Sequence, residues 1–256
     1  MQENYYQKRL YPIQNNILTI ISKLPVEFYL TGGTALSRCY LNHRYSDDLD
    51  FFVNNAKNFK EQVEVILDEF TSRKIQYEIV AISKSFVRLQ VEDQGNYLKI
   101  DLINDINIHF GCIDICSIFP RMDNPLNILS NKICAISRYE PKDIADIIFI
   151  SEFYAFSWEK ILDEAKQKDI WVNPIEISRI IYEFPAEKLS LIKWIKPLNI
   201  DKIQKYIKIV AKDILNGENN SLNKERNKSK KQPSEIKEKE DFTGQEKQKE
   251  KKLKLN

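Results

Sequence analysis

The stretch Gly32-Gly33-Thr34-Ala35-Leu36-Ser37-Arg38-Cys39-Tyr40-Leu41-Asn42-His43-Arg44-Tyr45-Ser46-Asp47-Asp48-Leu49-Asp50-Phe51-Phe52-Val53 decides the fold. Before it, the apolar run Phe28-Tyr29-Leu30 stops at the Gly-Gly pair and gives way to a helical segment opened by Thr34, a strand-turn-helix pattern. At its end, Leu49 to Val53 reads as a second strand. Side chains two apart on a strand share a face, so Asp48 and Asp50 project together while Leu49 and Phe51 enter the core. Two such carboxylates repel unless a cation lies between them. A hard divalent ion suits them, and Mg²⁺ usually takes one or two carboxylates plus substrate phosphates.

Asp101, in Leu98-Lys99-Ile100-Asp101-Leu102, is an acid within an apolar strand, placed to add a third carboxylate to a two-metal phosphoryl-transfer site. The spacing is equally met if Asp50 caps a turn and Asp101 faces solvent on an edge strand. Gly32-Gly33 leads into a helix whose free N–H groups and positive dipole end suit a phosphate, though a Gly-Gly pair is also simply a turn. A second polar cluster lies in Leu129-Ser130-Asn131-Lys132 through Arg138 to Lys142-Asp143-Ile144-Ala145-Asp146. Asp143 and Asp146, three apart, share a helix face, and first-turn acids also satisfy the helix dipole.

Outward from these motifs, a helix follows Pro12 near the N-terminus. Another spans Lys57–Lys74, with Phe59, Val63, Ile66, Leu67 and Phe70 on one face. Strands are predicted at Tyr77–Ile82, Phe86–Val91 and Tyr97–Ile103, the last two joined through Asp93-Gln94-Gly95-Asn96. After a short apolar region at Ile106–Ile118 the chain becomes helical to Leu215, with Pro125, Pro141, Pro174, Pro185 and Pro197 near helix starts or turns. The fold class is therefore α+β: a small mixed β-sheet with flanking helices over residues 1–120, then a helical domain over 121–215.

Residues 216–256 carry twelve Lys and Arg against eight Asp and Glu, a net +4, in a chain of 256 residues whose total is +2. This basic tail lacks periodicity and is expected to be disordered, with lysines able to make non-specific phosphate contacts. The remainder, at −2, is not a basic nucleic-acid platform. Cys39, Cys112, Cys116 and Cys134 form no CxxC pair and there are two histidines, so no zinc site is expected. With no signal-like apolar segment and no run of about 18 uncharged apolar residues, the chain reads as cytoplasmic, not membrane-bound, with reduced and mostly buried thiols.

Taken together, GGTALSRCYLNHRYSDDLDFFV, LKIDL and LSNKICAISRYEPKDIADIIFI resemble the AbiEii/AbiGii toxin family, nucleotidyltransferase-like proteins of bacterial abortive-infection and toxin-antitoxin systems, over roughly Phe28 to Ile150. The resemblance implies a DNA polymerase β-like nucleotidyltransferase palm followed by a helical domain. It implies Gly32 and Gly33 against a triphosphate, Ser46 helping to hold it, Asp48 and Asp50 as Mg²⁺-binding carboxylates, Lys132 as a phosphate-contacting lysine and Asp143 as the last catalytic acid. Asp101 fits the third palm carboxylate less closely, and Asp146 is an alternative to Asp143. Implied partners are a nucleoside triphosphate, an RNA acceptor such as tRNA, and an antitoxin encoded nearby. A non-catalytic nucleotide-binding (GTP) module and a carboxylate-metal nuclease use the same residues differently.

Overall fold

The computed structural model describes residues 2–223. An N-terminal helix, α1, runs through Gln2–Tyr5, a wide π-helical segment at Tyr6–Leu10 and the regular part Tyr11–Ser22. Pro12 is the second residue of that regular part. Strand β1 (Tyr29–Thr31) leads directly into α2, helical over Gly32–Ala35 and π-helical over Leu36–Leu41. The helix thus opens at Gly32, not at Thr34. Then follow β2 (Leu49–Asn54), α3 (Phe59–Ser72), β3 (Gln76–Ile82), β4 (Phe86–Asp93) and β5 (Asn96–Asp105).

The turn Gln94-Gly95, both residues at positive φ, joins β4 to β5 with Asp93 opposite Asn96, a geometry that matches the twist of paired strands. Two short strands, β6 (Asp114–Cys116) and β7 (Phe119–Met122), complete the sheet. These were not predicted as strands: each is only three or four residues, and Pro120 weakens the signal. The order is β3-β4-β5-β2-β1-β7-β6, with β2–β5 and β1–β7 parallel and the other pairs antiparallel.

Alternation along the central strands separates two faces. Leu49, Phe51 and Val53 of β2 and Leu98, Ile100 and Leu102 of β5 join the core with Leu10, Ile17 and Ile21 of α1 and Phe59, Ile66 and Phe70 of α3. The opposite face carries Asp50 and Asp101. The helical portion comprises α4 (Pro125–Cys134), α5 (Pro141–Phe153), α6 (Trp158–Lys168), α7 (Pro174–Tyr182) and α8 (Ile200–Asn216). Pro125, Pro141 and Pro174 stand at helix starts, and the side chains of Asn124, Ser157, Asn173 and Asn199 accept backbone N–H bonds at helix N-termini. No helix among the described residues is long and apolar enough to cross a membrane.

Two expectations change. Cys39 on α2 and Cys116 on β6 are joined by a disulfide across 77 residues, their Cα atoms 6.3 Å apart, while Cys112 is exposed and Cys134 half-buried. The pairing arises because the β6–β7 hairpin folds back beside α2, a long-range closeness that Cys spacing does not encode. The chain is also still packed beyond Asn216. The Asn220 amide donates to Ser151 O and Tyr154 O at 2.6 Å each, and Leu222 is fully buried. The rest of the expected basic tail, 224–256, lies outside the described residues.

Closing a loop of this length by a disulfide contributes on the order of 2 to 4 kcal/mol. Reduction, or Cys116→Ser, should therefore lower the urea midpoint, and an unchanged midpoint would show that the bond does not support the fold.

Candidate active site at the sheet and helix boundary

The site begins at the end of β1. Gly32 adopts φ +66°, and a Cβ there would stand 2.6 Å from Asp50 Oδ2; one on Gly33 would stand 2.5 Å from Arg44 Nη2 and 3.0 Å from Ser46 Oγ. Glycine is thus required at both positions: at the first by backbone angle and by the acid, at the second by a buried guanidinium that cannot retreat.

Strand register lines up the chemistry. Thr31 lies opposite Asp50, Asp50 beside Asp101, and Asp101 opposite Arg88, a row across β1, β2, β5 and β4. Asp101 is buried, so it does not face solvent on an edge strand. Its carboxylate is gripped by Arg88 in a two-pronged pair, Nε to Oδ1 and Nη2 to Oδ2 at 2.8 Å each. Lys99 lies 2.7 Å from Asp48 Oδ2 and 3.9 Å from Asp101 Oδ2.

Asp50, between them, has no such partner. Burial, then the charges of Asp101 and Asp48, push its carboxyl up to about 6, against the lesser pull of Lys132 and Lys99. Among the described residues, no group of three or more His, Cys, Asp or Glu side chains is gathered so as to hold a metal ion. The three acids share one face, but protein cations already hold two of them.

The helical side is organised around Asp146, fully buried in the first turns of α5. It receives Arg44 Nε and Nη2 at 2.8 Å each, His43 Nε2 at 2.9 Å and Lys132 Nζ at 3.1 Å. Burial opposes its ionisation, but Arg44 and Lys132 outweigh that and hold its carboxyl well below the usual range. Burial likewise depresses His43, so its ring is neutral and its Nε2 serves as donor. Asp143 takes a different part: it binds Lys132 Nζ at 2.6 Å and Arg138 Nη2 at 2.8 Å. Asp143 therefore sits behind the two cations that face the sheet, while Asp146 ties α5 to the His43-Arg44 segment.

The loop holding Asp47 and Asp48 is fixed from several sides. The Gln14 amide donates to Ser46 O and Asp47 O at 3.1 Å each, Tyr6 donates to Asp47 Oδ1, and Lys193 reaches Asp47 Oδ2 at 3.1 Å. Thr34 donates to Asp48 O. Segment 193–195 closes over the loop through Tyr45 N to Lys193 O (2.8 Å) and Ile195 N to His43 O (3.1 Å).

Between sheet and helices lies a cleft of about 420 Å³ lined by Gly32, Asp50, Asp101 and Lys132, with Arg138, Asn131 and Lys168. Four of the eight residues anticipated from sequence thus line it. Gly33 and Ser46 lie behind the Gly32 turn, Asp48 beside Lys99, and Asp143 behind Lys132. Sequence reading missed Arg88, Lys99, Asn131, Lys168 and Asp123. Lys99 was legible in principle, two residues from Asp101 on the same strand, and counting back from the Gln94-Gly95 turn puts Arg88 opposite Asp101. Asp123 carries no such signal. It is a buried acid that accepts from Thr31 Oγ1 at 2.6 Å, from the Asn127 amide at 2.9 Å, and pairs with His109 at 3.0 Å.

Residues 17–216 match the family described as nucleotidyl transferase AbiEii toxin, Type IV TA system. The chain belongs to the AbiEii nucleotidyl transferase toxin family. Membership makes it a nucleotidyltransferase of a toxin-antitoxin system. Two solved Helicobacter pylori structures share the fold. JHP933 matches with a TM-score of 0.54 at 17% identity, covering 90% of this chain and 97% of its own. A second, assigned as a nucleotidyltransferase, matches with a TM-score of 0.55 at 18% identity, covering 88% of this chain and 98% of its own. No curated protein matches the chain.

Two predictions concern stability. The folded protein keeps Asp50 protonated up to about pH 6, whereas the unfolded chain releases that proton near pH 4. In chelator-treated buffer the unfolding free energy should fall as pH rises through this window and level off above it, by about 2 to 3 kcal/mol. Asp50→Asn should remove that fall and be the more stable form at pH 7, measured by urea titration across pH. Asp146→Ala strands the buried Arg44 and His43, leaving Lys132 to Asp143, and should cost roughly 3 to 5 kcal/mol. A loss below 1 kcal/mol in the same assay would rule out the central role given to this carboxylate.

Proposed function

We propose that this AbiEii-family chain works in the cytoplasm, transferring a nucleoside monophosphate from a nucleoside triphosphate to an RNA acceptor, with tRNA the acceptor to try first. The observation that carries the reading is the cleft itself: Asp50 and Asp101 on the sheet wall face Lys132 and Arg138 on the helical wall, with the Gly32 turn at the joint. Phosphoryl-type transfer needs positioning and charge neutralisation more than covalent help, and this arrangement offers both.

The Gly32-Gly33 turn lets a triphosphate approach backbone that any side chain would block. Lys132 spends two of its three donors on Asp143 and Asp146 and has one left for a phosphate oxygen. Burial works against its charge, but the two acids outweigh this and keep it protonated, so it enters the reaction as a fixed cation.

The oxygen donors of Asp48 and Asp50 suit a hard cation such as Mg²⁺, whose charge would offset the repulsion that raises the Asp50 carboxyl. Such an ion would supply neutralisation of the developing phosphate charge. Asp101 joins that set only when Arg88 releases it. A freed Asp101 would orient the attacking hydroxyl. Until then the Arg88 grip favours a second reading, a chain that binds nucleotide without transferring it.

Restraint of such a toxin by an antitoxin encoded nearby follows from the toxin-antitoxin setting. The basic tail is the segment proposed for non-specific RNA contact.

The test is incubation of the full chain with each α-³²P nucleoside triphosphate, Mg²⁺ and total tRNA, resolved on a denaturing gel. Label should appear on RNA. Asp50→Ala should reduce it by about a thousandfold or more, and Lys132→Gln by about ten- to a hundredfold. RNA cleavage without nucleotide would select the nuclease reading. Nucleotide binding with nothing labelled would select the binding module.

A further inference from the structure

The net −2 of residues 1–215 hides a division within them. Between Glu187 and Asp213 the chain carries seven lysines and one acid, Asp201, a local net of +6. Asp213 is buried and bound to Ser221, so it does not offset that charge at the surface. The basic character lost in the total is gathered in one short stretch.

Helix periodicity turns these lysines outward. The core face of α8 is Ile203, Ile207, Val210 and Ile214, and Lys205, Lys208 and Lys212 fall on the side opposite, with Lys202 at its edge. All four are exposed. From Lys202 to Lys212 the row is about 15 Å long. Asp201 stands at its start, Glu187 borders the same pocket as Lys208, and Lys202 is paired with Glu152 at 2.9 Å. Among the described residues, Lys208 and Lys212 enter no ion pair.

The row leads back to the candidate site. Ahead of α8 the chain carries the exposed Lys196 and then Lys193, whose ammonium lies 3.1 Å from Asp47 Oδ2. Trp194 between them forms an isolated β-bridge with Arg44. One end of the basic stretch is thus fastened to the loop that carries the acids, and the other runs along the helical portion.

We propose that the outer face of α8 carries the phosphate backbone of the acceptor RNA. The proposal rests on the nucleotidyl-transfer reading and seats its acceptor on the folded body, not on the tail alone. Lysines suit this task as point charges on flexible stems, which neutralise phosphates without reading sequence. A lipid surface fits less well, because an interfacial helix inserts an apolar face and that of α8 is already buried in the core.

The experiment follows the anisotropy of a labelled tRNA transcript with the full chain at KCl concentrations from about 50 to 200 mM. Lys205→Gln/Lys208→Gln/Lys212→Gln should weaken binding about tenfold or more near 100 mM and reduce the salt slope by about 2 to 3. Two further triple variants remove the same charge elsewhere: Lys57→Gln/Lys60→Gln/Lys84→Gln on the sheet side, and Lys228→Gln/Lys230→Gln/Lys231→Gln in the tail. Each should cost less than the α8 variant. In the labelling assay the α8 variant should raise KM for tRNA and keep kcat, with nucleoside triphosphate binding by calorimetry unchanged.

A wild type that does not bind tRNA, or an α8 variant with wild-type affinity and slope, overturns the assignment. An equal loss in the sheet-side variant also overturns it, since binding would then follow net charge alone, and so does a loss confined to the tail variant. Loss of binding to phosphatidylserine vesicles, with tRNA binding intact, would assign the face to a membrane instead. Binding of tRNA through α8 with no label transferred refutes the transferase reading and keeps the RNA surface. Thermal unfolding of each variant confirms that the comparisons are made on folded protein.

Discussion

One buried carboxylate organises the molecule. Asp146 binds Arg44, His43 and Lys132 at once, and through them joins the segment leading to the acidic strand, the helix opposite that strand and the helix behind both. Taking four ionisable groups out of water is expensive, and such clusters are weak evidence of stability compared with an apolar substitute. What this one provides is direction. Arg44 is pinned by both oxygens of Asp146, which is why its far end can lie where a side chain at position 33 would otherwise be, and so why the turn before it is made of glycine. Lys132, pinned by the same acid, faces the sheet and not solvent.

Around that anchor the site is electrostatically divided. Asp101 and Asp48 are each neutralised by a basic residue of β4 or β5, while Asp50 is left with the unbalanced negative field. Such tension is stored where a cation or a charged substrate can relieve it, at a cost to the resting fold. A second network, Asp123 to Asn127 to Lys168 to Asn131, runs from beneath the β1 terminus to the far end of the cleft. Both ends of the cleft therefore have side chains set by buried polar contacts, as a site that must position its ligand requires.

The sequence disclosed what is local. Gly32-Gly33, the alternation of Asp48 and Asp50 with Leu49 and Phe51, the Gln94-Gly95 hairpin and the prolines opening α4, α5 and α7 each follow from a few neighbouring residues and a fixed period. What it hid is relational. Asp143 and Asp146 have the same spacing argument and similar neighbours; only the packing of α5 against Arg44 separates a residue backing the cleft from one anchoring the core. Lys168 belongs to the site because α6 crosses α4, and Cys39 meets Cys116 because a short hairpin folds beside α2. Strands β6 and β7 escaped notice because three or four residues carry no readable alternation.

The strap formed by residues 193–195 has a bearing on how the chain is made. Two of the backbone bonds that fix the loop carrying His43 to Asp48, and the Lys193 contact to Asp47, come from residues about 150 positions later. As the polypeptide leaves the ribosome from its N-terminus, the acids and the glycine turn emerge long before the segment that closes over them. A chain interrupted by early termination, or cut short before residue 193, carries every acid of the candidate site but not the strap that seats them. For a protein of a toxin family, this timing couples assembly of the site to synthesis of a segment about 150 residues further along the chain.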